Sequence, residues 1–283
     1  LFRSLMKDGS YYSAQPGYET KQFVEEFQNR DPRMWQTLAW PGWELINTMT
    51  YAPGAGIYVQ NLNKNFSGYH QIKGFINNKD EDYYLGIDYP VLRYAEVLLT
   101  YAEARAELGE LTQDDLDKTI NRLRSRAGIP ALKLNPAADP VMQKAFPGIS
   151  STLQEIRRER RVELALEGFR YDDLMRWKAA DLFAANRTKW EGIYIPKVNE
   201  GYDLDGDGKN DVCFYKGTKP GISGVKFVQL GGNLTLSGEK SGYLVWGEAF
   251  QREWDDKKYL RPIPRNVRVI NPALEQNPGW EEN

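Results

Sequence analysis

The sharpest chemical pattern in this 283-residue chain is Asp203-Leu204-Asp205-Gly206-Asp207-Gly208-Lys209-Asn210-Asp211. Carboxylates stand at loop positions one, three, five and nine, with glycine at six. Calcium takes about six to eight oxygen ligands, and alternating Asp residues around a glycine turn supply them. The Lys209 carbonyl, at position seven, would add another. Position twelve is Phe214, where an EF-hand needs a bidentate Glu, and no amphipathic helices flank the loop. The run therefore reads as an Asp-rich loop between strands. Asp203, Asp205, Asp207, Lys209 and Asp211 are the expected ligands of a structural Ca2+. The competing reading is a solvated acidic turn, in which the clustered carboxylates would repel one another.

A second candidate is aromatic. The chain holds 8 Trp and 17 Tyr, and many of them fall in the first ninety residues among Asn, Gln and Gly. Indole and phenol rings have an apolar face and a polar handle. Sugar rings stack on such faces through C–H groups, while their hydroxyls seek amide and carboxylate partners. Tyr11, Tyr12, Trp35, Trp40, Trp43 and Tyr58 are the candidate ligand contacts; Tyr18 and Tyr51 belong to the same group. The alternative is that loops without regular structure use these rings as plugs.

Glu159, Glu163 and Glu167 recur every fourth residue, so their carboxylates share a helix face. Catalysis by such a row competes with a plainer role. Arg158, Arg160 and Arg161 are interleaved, and Glu/Arg pairs three or four apart support helices. Glycoside hydrolysis needs two carboxylates facing across a sugar, and no motif indicates it. The single His70 falls in a loop, where a polar surface role is expected. It excludes multi-His metal centres and makes any Ser-His-Asp triad depend on one residue. The single Cys213 cannot form an intrachain disulfide and reads as a buried thiol. A net charge of −2 argues against nucleic-acid binding, and no Walker or dinucleotide loop is present. No apolar stretch reaches the roughly 18 residues of a spanning helix. Asn65, Asn186 and Asn233 stand in sequons.

These residues need positioning elements. A short amphipathic helix fits 21–28, with Phe23, Val24 and Phe27 on one face. Apolar residues at 91, 92, 95, 98, 99, 102 and 106 predict a helix over 91–108, between Pro90 and Gly109. Thr112 with Asp115 resembles a capping box that opens a second helix to Ala127, closed by Gly128. The short connection predicts an antiparallel hairpin with the size of a tetratricopeptide-type unit. A Pro/Ala/Asn loop over 134–148 precedes a third helix over 153–166, and a fourth covers 171–183. Four segments follow: loop-rich 1–90, helical 91–190, a loop and β excursion over 191–258, and an extended tail over 259–283.

Four stretches carry a family resemblance. Tyr89 to Ala104, Asn121-Arg122-Leu123-Arg124-Ser125-Arg126-Ala127-Gly128, Glu159 to Trp177, and Tyr259-Leu260-Arg261-Pro262-Ile263-Pro264 through Trp280 resemble the signatures of the SusD/RagB family. Asp31-Pro32-Arg33 fits as well. The resemblance implies a mainly α, SusD-like fold with tetratricopeptide-type helix pairs, long aromatic loops and a small β excursion.

It also implies a glycan-binding lipoprotein on the outer face of the Bacteroidetes outer membrane. Such a protein delivers nutrient to a SusC-like TonB-dependent transporter and is not an enzyme. Membrane contact would run only through a lipid anchor outside this sequence. Full members are longer, so the chain, opening at Leu1, reads as a fragment without their N-terminal half. Two alternatives remain open: an oligopeptide receptor on the same scaffold, or a transporter-docking subunit with no ligand of its own. The family's binding loops vary, so the resemblance assigns no ligand residue.

Overall fold

The computed structural model describes residues 4–46, 56–62, 65–75, 77, 90–246 and 252–281. Tyr51 lies outside them. The chain forms two compact units, Leu1–Glu167 with Glu191–Ala249, and Gly168–Trp190 with Phe250–Asn283. These units cut across the four sequence segments.

The first unit opens with two short helices, α1 (Phe23–Glu26) and α2 (Arg33–Thr37), then the paired strands β1 (Glu44–Leu45) and β2 (Gly56–Ile57). The helix expected over 21–28 shrinks to one turn; of its apolar face Phe23 and Phe27 are buried and Val24 is only half-buried. The helical block follows: α3 (Tyr94–Glu107), α4 (Gln113–Lys118), α5 (Ile120–Ala127), α6 (Pro140–Ala145) and α7 (Ser151–Glu163). Val91 and Leu92, assigned to the first helix face, lie before α3 and are exposed. The capping box forms as read: the Thr112 hydroxyl accepts from Asp115 N at 3.1 Å, and Asp115 accepts from Thr112 N at 2.9 Å. The helix it opens is broken at Thr119, whose φ of −121° and ψ of −90° are not helical. Gly128 closes α5 at φ 69°, a left-handed cap that suits glycine.

The cap of α7 is Ser150, whose hydroxyl accepts from Leu153 N at 3.2 Å; α6, with Asp139 as its cap, was not expected within the 134–148 loop. Across the short connection α3 meets both α4 and α5. The broadest helix contact of α3 is with α7, far along the chain.

The β excursion is integral to the first unit's core. Strands β3 (Tyr194–Ile195), β8 (Gly242–Trp246) and β7 (Leu234–Leu236) pair antiparallel in that order. Strand β4 (Gly201–Tyr202) pairs antiparallel with β5 (Val212–Tyr215), which pairs parallel with β6 (Lys226–Gln229). Val212, Phe214, Val228, Leu236 and Leu244 close one hydrophobic cluster with Phe23, Phe27 and Met34 from the start of the chain. Cys213 is fully buried, as expected of a structural thiol.

Glu155 to Arg160 and Glu163 lie inside the protein, and Arg161 is exposed. Asp31 and Glu159 hold Arg33, and Glu163 lies 3.2 Å from it. Glu159 also accepts from Arg124 Nε at 2.9 Å. Arg158 joins Asp139 to Glu155, and Arg93 reaches Glu163 at 2.8 Å and Glu167 at 2.6 Å. Among the described residues these pairs mostly join separate segments; Arg33–Asp31 and Arg158–Glu155 are the local ones. Burial pushes the Glu163 carboxyl upward, but hydrogen bonds from Arg126 and Arg93 outweigh it and hold the pKa at about 2. Its folded pKa lies below the ordinary 4.5. Its contribution is therefore complete above about pH 4.5 and is lost as pH falls through about 2.

In the second unit, α8 (Arg170–Arg176) ends early, because Lys178 takes a left-handed φ of 50° before a 3-10 turn at Ala180–Phe183. The tail is not wholly extended. It contains α9 (Arg265–Ile270) and folds back on itself: Trp280 Nε1 donates to the Lys257 and Leu260 carbonyls at 3.0 Å, and Gln276 brackets the Ile263 backbone.

Glu159→Gln leaves two buried guanidinium groups short of charge. It is expected to cost about 3–5 kcal/mol in urea unfolding. Asp114→Asn, which breaks the exposed Asp114–Lys118 pair, is expected to leave the midpoint in place. Equal effects of the two changes would refute the ionic core as a stability determinant.

Candidate functional site

The aromatic candidates divide by burial. Tyr12 is 1% exposed and lies beneath the Arg30 guanidinium, 3.6 Å from its ring centre. Trp43 is 7% exposed, edge-on to Tyr58 at 5.5 Å and to Phe75 at 6.1 Å. More chain can only bury them further. The expectation that these two offer a ligand a free ring face is corrected here: both are core plugs. Tyr11 is half-buried beside Arg158, its hydroxyl donates to the Ala137 carbonyl, and burial raises its pKa to about 12.

Trp35 and Trp40 remain. Trp35 is 39% exposed, stacks on Trp40 at 6.3 Å and 29°, and donates from Nε1 to the Phe27 carbonyl at 3.1 Å. That bond fixes the indole plane with one face toward solvent. Trp40 is half-buried and touches two core clusters, so the pair is anchored from below. Tyr58 turns inward to His70, ring centres 5.0 Å apart and Tyr58 Oη 3.2 Å from Nδ1. His70 is thus half-buried rather than a surface residue.

The acidic run is the β4–β5 loop. Carboxylate oxygens of Asp203, Asp205 and Asp211 lie within 4.8 Å of one another. Asp207 points elsewhere, 2.9 Å from the Lys209 ammonium. Three of the expected side chains therefore converge and Asp207 does not. Asp203 accepts from Gly206 N at 2.6 Å and Gly208 N at 2.9 Å, which winds the loop around it. Gly206 has φ 84°, a conformation that favours glycine. Burial, then the Asp205 and Asp203 charges, raise the Asp211 pKa. A Cβ on Gly206 would sit 3.7 Å from Pro41, and one on Gly42 would sit 3.8 Å from the Asp205 carbonyl. The acidic loop thus rests against the turn that carries Trp40 and Trp43.

Sequence reasoning missed the segment Asn65–Phe75, which walls a cleft of about 460 Å³. The weak signal was there: a sequon asparagine five residues before the only histidine. The Asn65 side-chain oxygen accepts from Ser67 N at 3.2 Å and Ser67 Oγ at 2.9 Å, while its nitrogen is buried.

The SusD family model matches residues 2–280. The chain belongs to the SusD family. No curated protein matches it. Among solved structures it is similar to a SusD-like protein (BF3747) from Bacteroides fragilis. Identity is 22%, coverage 99% of this chain and 45% of that one, and the TM-score 0.60. It is also similar to BT4246, at 20% identity, covering 99% of this chain and 43% of that one with a TM-score of 0.61. The chain therefore spans less than half the length of these relatives and shares their fold. Among its described residues no helix is long and apolar enough to cross a membrane.

Beside the cleft, the Tyr69 hydroxyl donates to buried Glu26 at 2.6 Å. Burial raises the Glu26 pKa to about 7, against the hydrogen bond and Arg30. A carboxyl whose folded pKa exceeds its unfolded 4.5 favours folding fully below pH 4.5 and loses that contribution as pH rises through about 7. Glu26→Gln is therefore expected to raise stability at pH 8 by on the order of 3 kcal/mol and to leave it little changed at pH 4. Thermal melts of both forms across that range check this; a uniform shift would contradict it.

Proposed function

We propose that this chain is part of a cell-surface glycan-binding protein of the outer membrane, handing oligosaccharide to a SusC-like TonB-dependent transporter. The family match over residues 2–280 carries the reading. The Trp35–Trp40 pair supports it: two indoles stacked at 29°, one of them exposed, suit the apolar side of a pyranose ring. On this reading the protein binds and releases its ligand unchanged. The buried Glu159 and Glu163 and the half-buried Glu167 are each neutralised by Arg or Lys, which suits a structural role and not acid–base chemistry. Membrane attachment would come from a lipid anchor outside these residues.

Calcium belongs to the same proposal as a structural ion. Asp203, Asp205 and Asp211 would supply carboxylate oxygens, and backbone carbonyls such as that of Lys209 the remainder. The ion would cancel the repulsion that raises Asp211 and stiffen the loop under the Trp40 turn. Calcium is expected to raise the thermal midpoint, and a chelator to reverse the gain. Affinity should fall as pH drops and Asp211 takes up a proton. Asp203→Asn should abolish the calcium effect; a midpoint indifferent to calcium sinks this part of the reading.

Titration of the protein with neutral oligosaccharides, read by tryptophan fluorescence and calorimetry, tests the main reading. Saturable binding is expected, weakened about two- to tenfold by Trp35→Ala, since one ring contact contributes about 0.5–1.5 kcal/mol beyond area burial. A response to short peptides alone would favour the oligopeptide receptor. Silence toward both would favour a docking subunit.

A further inference from the structure

The geometry points to a second carbohydrate subsite in the cleft walled by Asn65, Tyr69, His70, Gln71, Lys73 and Phe75, on the segment whose backbone pairs with Thr37 and Ala39. It rests on the glycan reading and adds a place and a chemistry to it.

The cleft's volume, about 460 Å³, falls within the range of small-molecule sites. Its wall is fixed before any ligand arrives. Ala39 N donates to the His70 carbonyl at 2.9 Å, and Ile72 N to that of Thr37 at 2.9 Å. Ile193 N donates to the Ser67 carbonyl at 2.8 Å. Gly192 packs so closely on Ser67 that a Cβ there would lie 2.4 Å from that carbonyl oxygen. Lys73 reaches into the ionic core and meets the Glu163 and Ala165 carbonyls and the Glu167 carboxylate at 2.6–3.0 Å. A wall tied on several sides loses little entropy on binding.

The chemistry of the wall is neutral and mixed. The one cation, Lys73, is already matched by Glu167, and burial lowers the pKa of His70, so imidazole is the resting form at neutral pH. Among the described residues of this wall, no uncompensated charge faces the cleft. What remains is amide and ring. Gln71 is exposed, and its amide nitrogen donates to the Lys73 carbonyl at 3.2 Å, which orients its oxygen. The buried Asn65 nitrogen has no acceptor among the described residues, a cost that their folding does not repay. Phe75 and Tyr69 add apolar surface. Neutral polyols with C–H faces answer this mixture.

His70 is the only histidine in the sequence, so its ring resonances need no assignment by mutation. Protein labelled with ¹⁵N,¹³C-histidine would be titrated with maltotriose, cellotriose, xylotriose and mannotriose, and with triglycine. Tryptophan fluorescence would be followed in parallel. The expected result is a saturable shift of the His70 ring signals with at least one trisaccharide and none with triglycine. Gln71→Ala, an exposed change, should weaken that binding about fivefold. Asn65→Asp keeps the acceptor for Ser67 but removes the donor, and should weaken it similarly with the unliganded His70 spectrum retained.

Trisaccharide binding seen by fluorescence but silent at His70 would overturn the subsite and leave the glycan reading standing. A His70 shift with triglycine alone would overturn its carbohydrate character. No trisaccharide binding by either readout would overturn the subsite and the glycan reading together.

Discussion

The buried lattice of arginines and carboxylates is the constraint on which the rest of the first unit depends. A charge inside a protein must find a partner in the same place, because the cost of leaving it alone is several kcal/mol. Arg33, Arg93 and Arg124 come from three separate segments, and the helix α7 with its C-terminal extension presents Glu155, Glu159, Glu163 and Glu167 to them, while Arg158 of α7 itself reaches out to Asp139. Each pairing fixes one segment against α7. A slip of any segment would strand a charge on both sides, so the lattice selects a single register where apolar packing alone tolerates several.

The candidate site inherits that rigidity. Arg33 pins α2, and α2 presents Trp35 and leads into the Trp40 turn. Lys73 pins the far end of the cleft wall to Glu167. The functional surfaces are loops, but loops tethered at both ends to the same core. This arrangement lets the exposed residues vary in chemistry without the scaffold moving, which suits a binding protein.

Two carboxylate groups in the chain illustrate opposite physics. In α7 each acid faces guanidinium groups, and Glu163 stays ionised to about pH 2 despite burial. In the β4–β5 loop Asp203, Asp205 and Asp211 face one another, and Asp211 is pushed toward its neutral form. The first set is complete within the protein. In the second, backbone N–H groups such as those of Gly206 and Gly208 offset part of the mutual repulsion.

Much was legible in the sequence. Periodicity placed α3, α5 and α7, because a helix face repeats at short range. The Thr112 and Gly128 caps were readable, because a cap is a local hydrogen bond or a local dihedral. The signature stretches marked the family for the same reason. The Asp spacing defined the loop that brings three carboxylates together. Other features were decided only in three dimensions. Sequence could not separate Trp35, which keeps an open face, from Trp43, which is sealed by Tyr58 and Phe75, since both are tryptophans in similar loops. It assigned Glu and Arg in α7 to neighbouring turns, whereas most bridge segments thirty or more residues apart. It set the β excursion aside, although those strands complete a core begun by Phe23 and Phe27. The cleft at Asn65–Phe75 left almost no trace in the sequence. Composition and local spacing dictate what each residue can do, and burial and long-range pairing dictate which of them remains free to do it.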